Sequence, residues 1–370
     1  MPLHHRLICL FSCTILILSL SASSALPDTV TTKKRTVTQL AEGVYEIRHP
    51  DAPDQFSQSN TTVIVGSDAV LVVDSCYLPS TAREDIAQIR QWTKKPVRYL
   101  LNTHWHYDHT LGNSEYVDAF PGILVIAQTE TRNQIAGYNP QWFQKYPSRV
   151  QVFQKLLDGR KNLDGTPLTD SDIASYKKAI AGVAPVQAEF QKISGRLRDL
   201  TPTITFDREM DIQLGGREVQ LKHLGRGNTA GDAAAYLPAD KIVVVGDLVD
   251  HPIPFFFSGY PYEQIETLGR LALIDANTIV PGHGDVLHDK AYLQQEVDFI
   301  RLVTGEVSKA INKIGPDPEK FPAVRDEVMK NLDVAALRKQ FPIEDMQNSD
   351  FFDDTLAGLI RASFAASSEK

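Results

Sequence analysis

Seven consecutive residues, Thr103-His104-Trp105-His106-Tyr107-Asp108-His109, limit what this chain can fold into more than any other feature of its sequence. They bring three imidazoles and one carboxylate together directly after the apolar run at 97–101, which predicts a buried strand. Four ionisable groups in that position are not typical of a surface turn. Imidazole nitrogen and carboxylate oxygen are ligands that zinc accepts, so the cluster predicts a divalent-metal site where a strand ends.

The spacing within the cluster predicts how its side chains point. His104 and His106 are two positions apart, so in an extended segment they project to the same side. A turn into the next helix would bring Asp108 and His109 round to face a second point. The cluster therefore predicts two neighbouring groups of ligands.

Two later strand ends carry similar groups. The apolar run at 242–245 leads into Gly246-Asp247, and the run at 278–280 leads into Pro281-Gly282-His283-Gly284. Glycine on both sides of His283 allows a sharp turn that presents the imidazole. Because binding sites assemble where strands end and loops begin, we expect these residues to join the histidine cluster.

The rest of the chain predicts an α/β protein made of two β-rich halves. The runs at 61–66 and 69–74 form a hairpin in the first half, and Thr81 with Glu84 predicts a capping box that opens the next helix. A hairpin at 212–221, strands at 233–237 and a helix at 262–273 follow in the second half. Residues 130–200 predict a helical insertion, and the chain from Asp289 onward is again helical. This order predicts a sandwich of sheets with helices on the outside.

The first 25 residues have the composition of a signal peptide rather than of a folded element. Arg6 precedes an apolar run that is too short to span a bilayer, and Ser23 and Ala25 suit cleavage after Ala25. We therefore expect export to the periplasm or outside the cell, with an uncleaved membrane anchor as the alternative. Removal of this segment would leave Cys76 as the single cysteine. The net charge of −8 disfavours a nucleic acid as partner.

In its motifs, the chain resembles the metallo-β-lactamase superfamily of metal-dependent hydrolases. Asp74, at the end of an apolar run, also matches an acidic residue that the family places beneath its site. The resemblance covers about residues 38–290. It rests on His104-x-His106-x-Asp108-His109, Gly225-Arg226-Gly227-Asn228-Thr229-Ala230-Gly231-Asp232, Gly246-Asp247 and Pro281-Gly282-His283-Gly284.

The resemblance implies an αββα four-layer sandwich with a centre of one or two zinc ions. Together with the composition and patterns above, it predicts a signal peptide at 1–25, a metallo-β-lactamase-like domain at 26–290 with its helical insertion at about 130–200, and a C-terminal helical extension at 291–370. The implied ligands of the first metal are His104 and His106, and those of the second are Asp108, His109 and His283. Asp247 would bridge the two metals.

One position departs from the family pattern. Asn228 stands where the family has a third histidine for the first metal. An amide ligates only through its neutral carbonyl oxygen, which is a poorer zinc donor than imidazole. We therefore predict that Asn228 is a weak fourth ligand or a hydrogen-bond donor to bound water, and that the second metal binds more tightly. The missing histidine disfavours the mononuclear iron branch that oxidises persulfides.

The predicted activity is hydrolysis of a small-molecule acyl substrate, an ester, lactone, thioester or amide, by a zinc-bound hydroxide. Asp108 and Asn228 are the predicted catalytic residues, and Asp108 would orient the water or take its proton. Two alternatives remain open, a β-lactamase proper and a non-catalytic protein that keeps a structural metal. No segment after the first 25 residues predicts membrane insertion, and the sequence leaves the oligomeric state open.

Overall fold

The computed structural model describes residues 35–162, 167–256, 259–341 and 350–368, so the predicted signal segment at 1–25 lies outside the described residues. The strands are β1 Thr36–Ala41, β2 Val44–Arg48, β3 Thr61–Val65, β4 Val70–Val73, β5 Val97–Asn102, β6 Leu124–Gln128, β7 Ile204–Phe206, β8 Glu209–Gln213, β9 Glu218–Lys222, β10 Ala234–Leu237, β11 Ile242–Asp250 and β12 Thr278–His283. The α-helices are α1 Pro79–Trp92, α2 Tyr107–Thr110, α3 Asn113–Ala119, α4 Thr129–Lys145, α5 Arg149–Gly159, α6 Asp170–Ile193, α7 Leu197–Leu200, α8 Pro261–Ala272, α9 Ala291–Ile314, α10 Phe321–Asn331, α11 Val334–Gln340 and α12 Asp350–Ser368. Short 3₁₀ turns cover Tyr146–Ser148 and Pro318–Lys320.

The strands form two sheets. The first has the order β1-β2-β3-β4-β5-β6-β7, antiparallel from β1 to β4 and parallel from β4 to β7. The second has the order β12-β11-β10-β9-β8, in which β11 and β12 are parallel and the other pairs are antiparallel. Parallel strands end at the same edge of a sheet, so the ends of β5 and β6 lie side by side in the first sheet, as those of β11 and β12 do in the second.

The alternation of side chains along β4 shows why the sequence folds into layers. Val70 and Val72 pack against helices α1 and α3, whereas Leu71 and Val73 face the second sheet. A strand buried on both faces reads as an uninterrupted apolar run. Each such side chain stabilises the fold by about 1.5–3 kcal/mol relative to its exposed state.

Strand β11 divides its side chains in the same way. Val244 joins the core between the sheets, and Val243 and Val245 pack against α8, α9 and the C-terminal helices. The layers therefore run helices, sheet, sheet, helices, with α4–α7 inserted between β6 and β7 and α9–α12 as a C-terminal helical extension. The predicted αββα fold is confirmed.

One local prediction was wrong, and two strands were missed. Helix α1 begins at Pro79, since proline suits the first helical position, and its N-cap residue Leu78 has no side-chain oxygen that could cap the helix. Thr81 and Glu84 therefore lie inside α1 rather than forming a capping box. Strands β6 and β7 were not predicted. No helix among the described ranges combines the length and apolar content needed to cross a membrane.

Candidate metal centre

The histidine cluster follows β5 directly and leads into α2. His104 Nε2 lies 3.2 Å from Asp247 Oδ2, and His106 Nδ1 lies 3.9 Å from the same oxygen. His104 is buried, whereas the side chain of His106 is 14% exposed. The two imidazoles therefore face one carboxylate oxygen from the same side, as their spacing predicted.

A second group faces the other oxygen of the same carboxylate. His109 Nε2 lies 3.0 Å from Asp247 Oδ1 and 3.6 Å from Asp108 Oδ2. His283 Nε2 lies 3.0 Å from Asp108 Oδ2 and 3.7 Å from Asp247 Oδ1. His104, His106 and Asp247 form the first group, and Asp108, His109 and His283 form the second. Within each group, three potential ligand atoms lie within 4.8 Å of one another. The structure thus brings together the six residues that were predicted as ligands.

Strands β11 and β12 can approach this closely because of their glycines. Gly246 has a positive φ of 55°, and the register between β11 and β12 shifts on either side of it, so Asp247 lies within β11 rather than after it. A Cβ at Gly246 would overlap the Thr103 side chain, and one at Gly282 would overlap Asp247 Oδ1. Glycine at both positions therefore leaves the space in which the carboxylate stands.

The burial of unpartnered polar atoms tests whether this pocket suits a metal ion. His104 Nε2, His109 Nε2 and Asp247 Oδ1 are buried and make no hydrogen bond. Buried polar atoms normally find a partner, since leaving one unsatisfied costs about 1–3 kcal/mol. Three such atoms in one pocket fit divalent cations as the missing partners, and imidazole with carboxylate is a donor set that zinc accepts.

Hydrogen bonds behind the ligands hold them in place. Asp74 Oδ2 accepts a hydrogen bond from His109 Nδ1 at 2.8 Å, and its two oxygens accept from the Thr103 hydroxyl and the Thr103 backbone N–H, both at 2.8 Å. Because a carboxylate only accepts, His109 carries its proton on Nδ1 and turns the lone pair of Nε2 toward Asp247. The Ser59 hydroxyl donates to the carbonyl of Asp108 at 2.8 Å.

Burial and the neighbouring charges shift the pKa values of the centre in different directions. Burial, together with the neighbouring His109, lowers the pKa of His104 to about 4. Burial alone would raise the pKa of Asp247, but His109, His104 and His283 outweigh it and hold the value well below the usual range. Metal ligands must be deprotonated, so these two shifts favour ligation. At His109, Asp247, Asp74 and Asp108 outweigh burial and raise the pKa, so a cation bound there would displace a proton.

Asn228 lies where its position in the sequence predicted. Its Nδ2 is 3.4 Å from both His106 Nδ1 and Asp247 Oδ2, and its Oδ1 is buried without a hydrogen bond. Thr229, the following residue, donates its hydroxyl to Asp232 Oδ1 at 2.7 Å and so stabilises the turn instead of contacting an imidazole. The amide of Asn228 therefore borders the group formed by His104 and His106.

An aromatic surface beside the centre was not predicted. The Trp105 ring lies 4.6 Å from the His106 ring and 4.5 Å from that of Tyr138 in α4, and Tyr107 stacks on Trp142 at 4.2 Å. Tyr138 is 40% exposed. Helix α4 of the insertion thus places rings next to a candidate ligand, a contact that only tertiary folding creates.

A third carboxylate near the centre was also missed. Asp250 is buried, its Oδ1 has no hydrogen bond, and it offers an oxygen within 4.8 Å of ligand atoms of Asp247 and His283. The two aspartates are three positions apart, a spacing that does not put two side chains on one face of a regular strand, and the register shift between Gly246 and Asp250 breaks that regularity.

A sandwich of two sheets with imidazoles and carboxylates converging at the sheet edges is an architecture that can hold divalent metal ions. A family model of the metallo-beta-lactamase superfamily matches residues 54–283, which is more than half of the chain. The chain therefore belongs to the metallo-beta-lactamase superfamily.

Individual relatives are distant. A linear primary-alkylsulfatase from a Pseudomonas species is 22% identical over 268 residues, covering 69% of this chain and 48% of the relative, so the chain spans about half the length of that relative. A hydroxyacylglutathione hydrolase of Gloeobacter violaceus is 47% identical over 38 residues, 10% of this chain and 15% of the relative. A metallo-beta-lactamase structure from Pontibacter korlensis matches at 18% identity and a TM-score of 0.47, covering 72% of this chain and 99% of that one.

Proposed function

We propose that the protein is an exported, zinc-dependent hydrolase of small acyl substrates, cleaving an ester, lactone, thioester or amide bond. The observation that carries the proposal is the pair of ligand groups that share Asp247, one on each carboxylate oxygen. Export, zinc and the acyl class of substrate are parts of the proposal. Its support is the superfamily membership together with the chemistry of the residues in the centre.

His104, His106 and Asp247 would hold the first ion, and Asp108, His109, His283 and Asp247 the second. When bound, zinc lowers the pKa of its water to about 7 and polarises the bond to be cleaved. Four carboxylate or imidazole side chains would bind the second ion, and Asn228 is not among them. The first ion would have three such side chains, with Asn228 as a weak fourth ligand. We therefore expect the second group to bind its ion more tightly than the first group.

The chain's own residues supply the rest of the chemistry. Asp108, whose Oδ2 is 3.0 Å from His283 Nε2, is placed to orient the attacking water and to accept its proton. Asn228 Nδ2 donates toward the first group and would position water or a substrate oxygen there. Asp74 fixes the ring of His109.

The aromatic surface formed by Trp105 and Tyr138 would bind the apolar part of a substrate, since ligand pockets are mainly apolar with a few polar groups. The stretch at 251–262 is a weaker candidate for this role. Phe256 is buried in the core against the C-terminal helices, Phe255 stacks on Phe351, and Phe257 lies outside the described residues.

Sulfate-ester hydrolysis is the second candidate, and the match to a linear primary-alkylsulfatase over 69% of this chain favours it. The same ligands and the same aromatic surface would suit an alkyl sulfate. A β-lactamase proper remains an alternative, and so does a chain that binds metal without turning over any substrate.

A panel of chromogenic substrates with matched leaving groups separates these candidates. We expect the zinc-loaded protein to hydrolyse p-nitrophenyl acyl esters or thioesters, to lose this activity with a chelator, and to regain it with zinc. Faster turnover of p-nitrophenyl or alkyl sulfates would replace the acyl proposal with the sulfatase, and turnover of a chromogenic cephalosporin alone would favour the β-lactamase. No turnover of any of them would contradict the hydrolase proposal. Asp247→Ala is the negative control.

A further inference from the structure

A second buried group of metal-ligand side chains lies outside the candidate centre and has no part in the proposed chemistry. His49 follows β2, Cys76 follows β4, and Asp85 lies in α1. All three side chains are buried, Cys76 and Asp85 completely. A thiol, an imidazole and a carboxylate from three different elements of the fold thus meet in the interior.

Their atoms are close to one another. Cys76 Sγ lies 3.6 Å from His49 Nε2 and 3.5 Å from Asp85 Oδ2, and His49 Nε2 lies 2.9 Å from Asp85 Oδ2. In a tetrahedral zinc site with ordinary bond lengths, nitrogen–sulfur and oxygen–sulfur edges are about 3.6 Å and nitrogen–oxygen edges about 3.4 Å. Two of the three edges already fit, and the third needs to open by about 0.5 Å.

The orientation of His49 is a second and independent indication. Its Nδ1 lies 2.7 Å from the carbonyl oxygen of Ser59, which can only accept, so Nδ1 carries the proton. This leaves Nε2 facing Asp85 Oδ2 at 2.9 Å, with Cys76 Sγ beside the ring at 3.5 Å from Nδ1 and 3.6 Å from Nε2. A ring that donates one N–H to a backbone carbonyl and directs its other nitrogen at the site is the usual arrangement of a zinc-binding histidine.

We propose that His49, Cys76 and Asp85 bind a structural divalent metal ion, for which zinc is the best match, at a site that shares no ligand with the candidate centre. Binding releases the thiol proton of Cys76, so that a thiolate and a carboxylate neutralise the cation within the core. Thr61 Oγ1, 3.2 Å from Cys76 Sγ, offers a fourth donor.

Complete burial makes this ion structural rather than catalytic, since no substrate reaches it. It would join the ends of β2 and β4 to α1. Ser59, whose carbonyl holds His49, also donates its hydroxyl to the carbonyl of Asp108. The ion would therefore support the segment that carries the ligands of the candidate centre.

The competing interpretation is a network of hydrogen bonds without metal. Arg35 Nη2 donates to Asp85 Oδ1 at 2.9 Å, and a protonated His49 could satisfy the same carboxylate. Arg35 uses Oδ1 and leaves Oδ2 facing Cys76, so its contact is compatible with both interpretations. A sulfur ligand on a bound metal ion would decide between the two interpretations. Such a ligand can be assigned to Cys76, because the candidate centre contains only nitrogen and oxygen ligands.

Cobalt substitution detects a sulfur ligand directly. The full chain is produced in cobalt-supplemented medium with Cys9→Ser and Cys13→Ser in every arm, so that Cys76 is the single thiol. We expect a thiolate-to-cobalt charge-transfer band in the near ultraviolet and one more ion per chain than in Cys76→Ser. That variant should lose the band, whereas His104→Ala should keep it, since His104 belongs to the other site.

X-ray absorption of the zinc-loaded protein gives a second measurement that needs no change at Cys76. A sulfur neighbour at about 2.3 Å from zinc supports the site even if Cys76→Ser fails to fold. Zinc spectra without sulfur, no charge-transfer band, or a band that persists in Cys76→Ser would overturn the proposal. None of these results depends on whether the protein hydrolyses any substrate.

Discussion

The substitution Asp74→Asn changes one atom behind the candidate centre and none of its ligands. Thr103 N–H donates to Asp74 Oδ1, so the asparagine oxygen stays there and its NH₂ group replaces Oδ2. That group then faces His109 Nδ1, which is 2.8 Å from Oδ2 in the unaltered protein. Two donors cannot bond, so His109 must move its proton to Nε2 or rotate, and either change removes a ligand.

The expected loss of metal affinity follows from the loss of the hydrogen bond from His109 to Asp74. Removing the outer partner of a ligating histidine lowers metal affinity about 10- to 100-fold, which corresponds to about 1.4–2.8 kcal/mol. Zinc competition against a chromophoric chelator measures it on protein stripped of metal. Asp211→Asn, at an exposed position of β8, is the matched control and should leave the affinity unchanged. An Asp74→Asn affinity within twofold of the unaltered protein would refute the reasoning.

Three further predictions concern different parts of the molecule. Asn228→His should raise occupancy of the first site, because an imidazole replaces a weak amide donor; metal titration measures it. Burial raises the pKa of Glu46 to about 7, so the folded state holds this proton more tightly than the unfolded state. The free energy of unfolding should therefore fall by about 3 kcal/mol as pH rises from 4.5 to 7, and Glu46→Gln should remove this decline in chemical denaturation. Tyr138→Ala should raise KM for long-chain substrates about fivefold, or about 1 kcal/mol, and leave acetyl substrates unchanged in steady-state assays.

Each of these predictions has a control and a contradicting result. Two equally tight ions in the unaltered protein would contradict the argument about Asn228. A Glu46→Gln variant whose stability keeps the same pH dependence would show that Glu46 does not cause the decline. Val152→Ala changes another exposed apolar residue of the helical insertion and should leave KM unchanged. An equal rise in KM for Tyr138→Ala and Val152→Ala would show that the aromatic surface does not bind the substrate.

The sequence predicted the layers and the six converging side chains because each depends on local pattern. The apolar run at β4 alternates between two cores, and the spacing of His104 and His106 directs both to one carboxylate oxygen. Strand β6 was missed although its run is equally apolar, and β7 has only three residues, too few for a periodic signal. Local patterns thus determined what lies in the core and at the centre.

Features that depend on distant chain segments were not predictable in this way. His49 had no recognisable partner in the sequence, yet it contacts Asp85 and Cys76 across two layers of the fold. Tyr138 reaches Trp105 only because the insertion folds back over the edge of the first sheet. The prediction of a capping box at α1 was wrong for a different reason, since the helix begins at Pro79, before Thr81 and Glu84.

Elemental analysis of the purified protein beside its Asp247→Ala variant tests the central claim most directly. Asp247 offers one oxygen to each ligand group, so its removal should weaken both while leaving the separate thiol-containing group intact. The account predicts that the unaltered protein holds at least one zinc ion per chain more than the variant. Equal zinc content in two correctly folded proteins would contradict it.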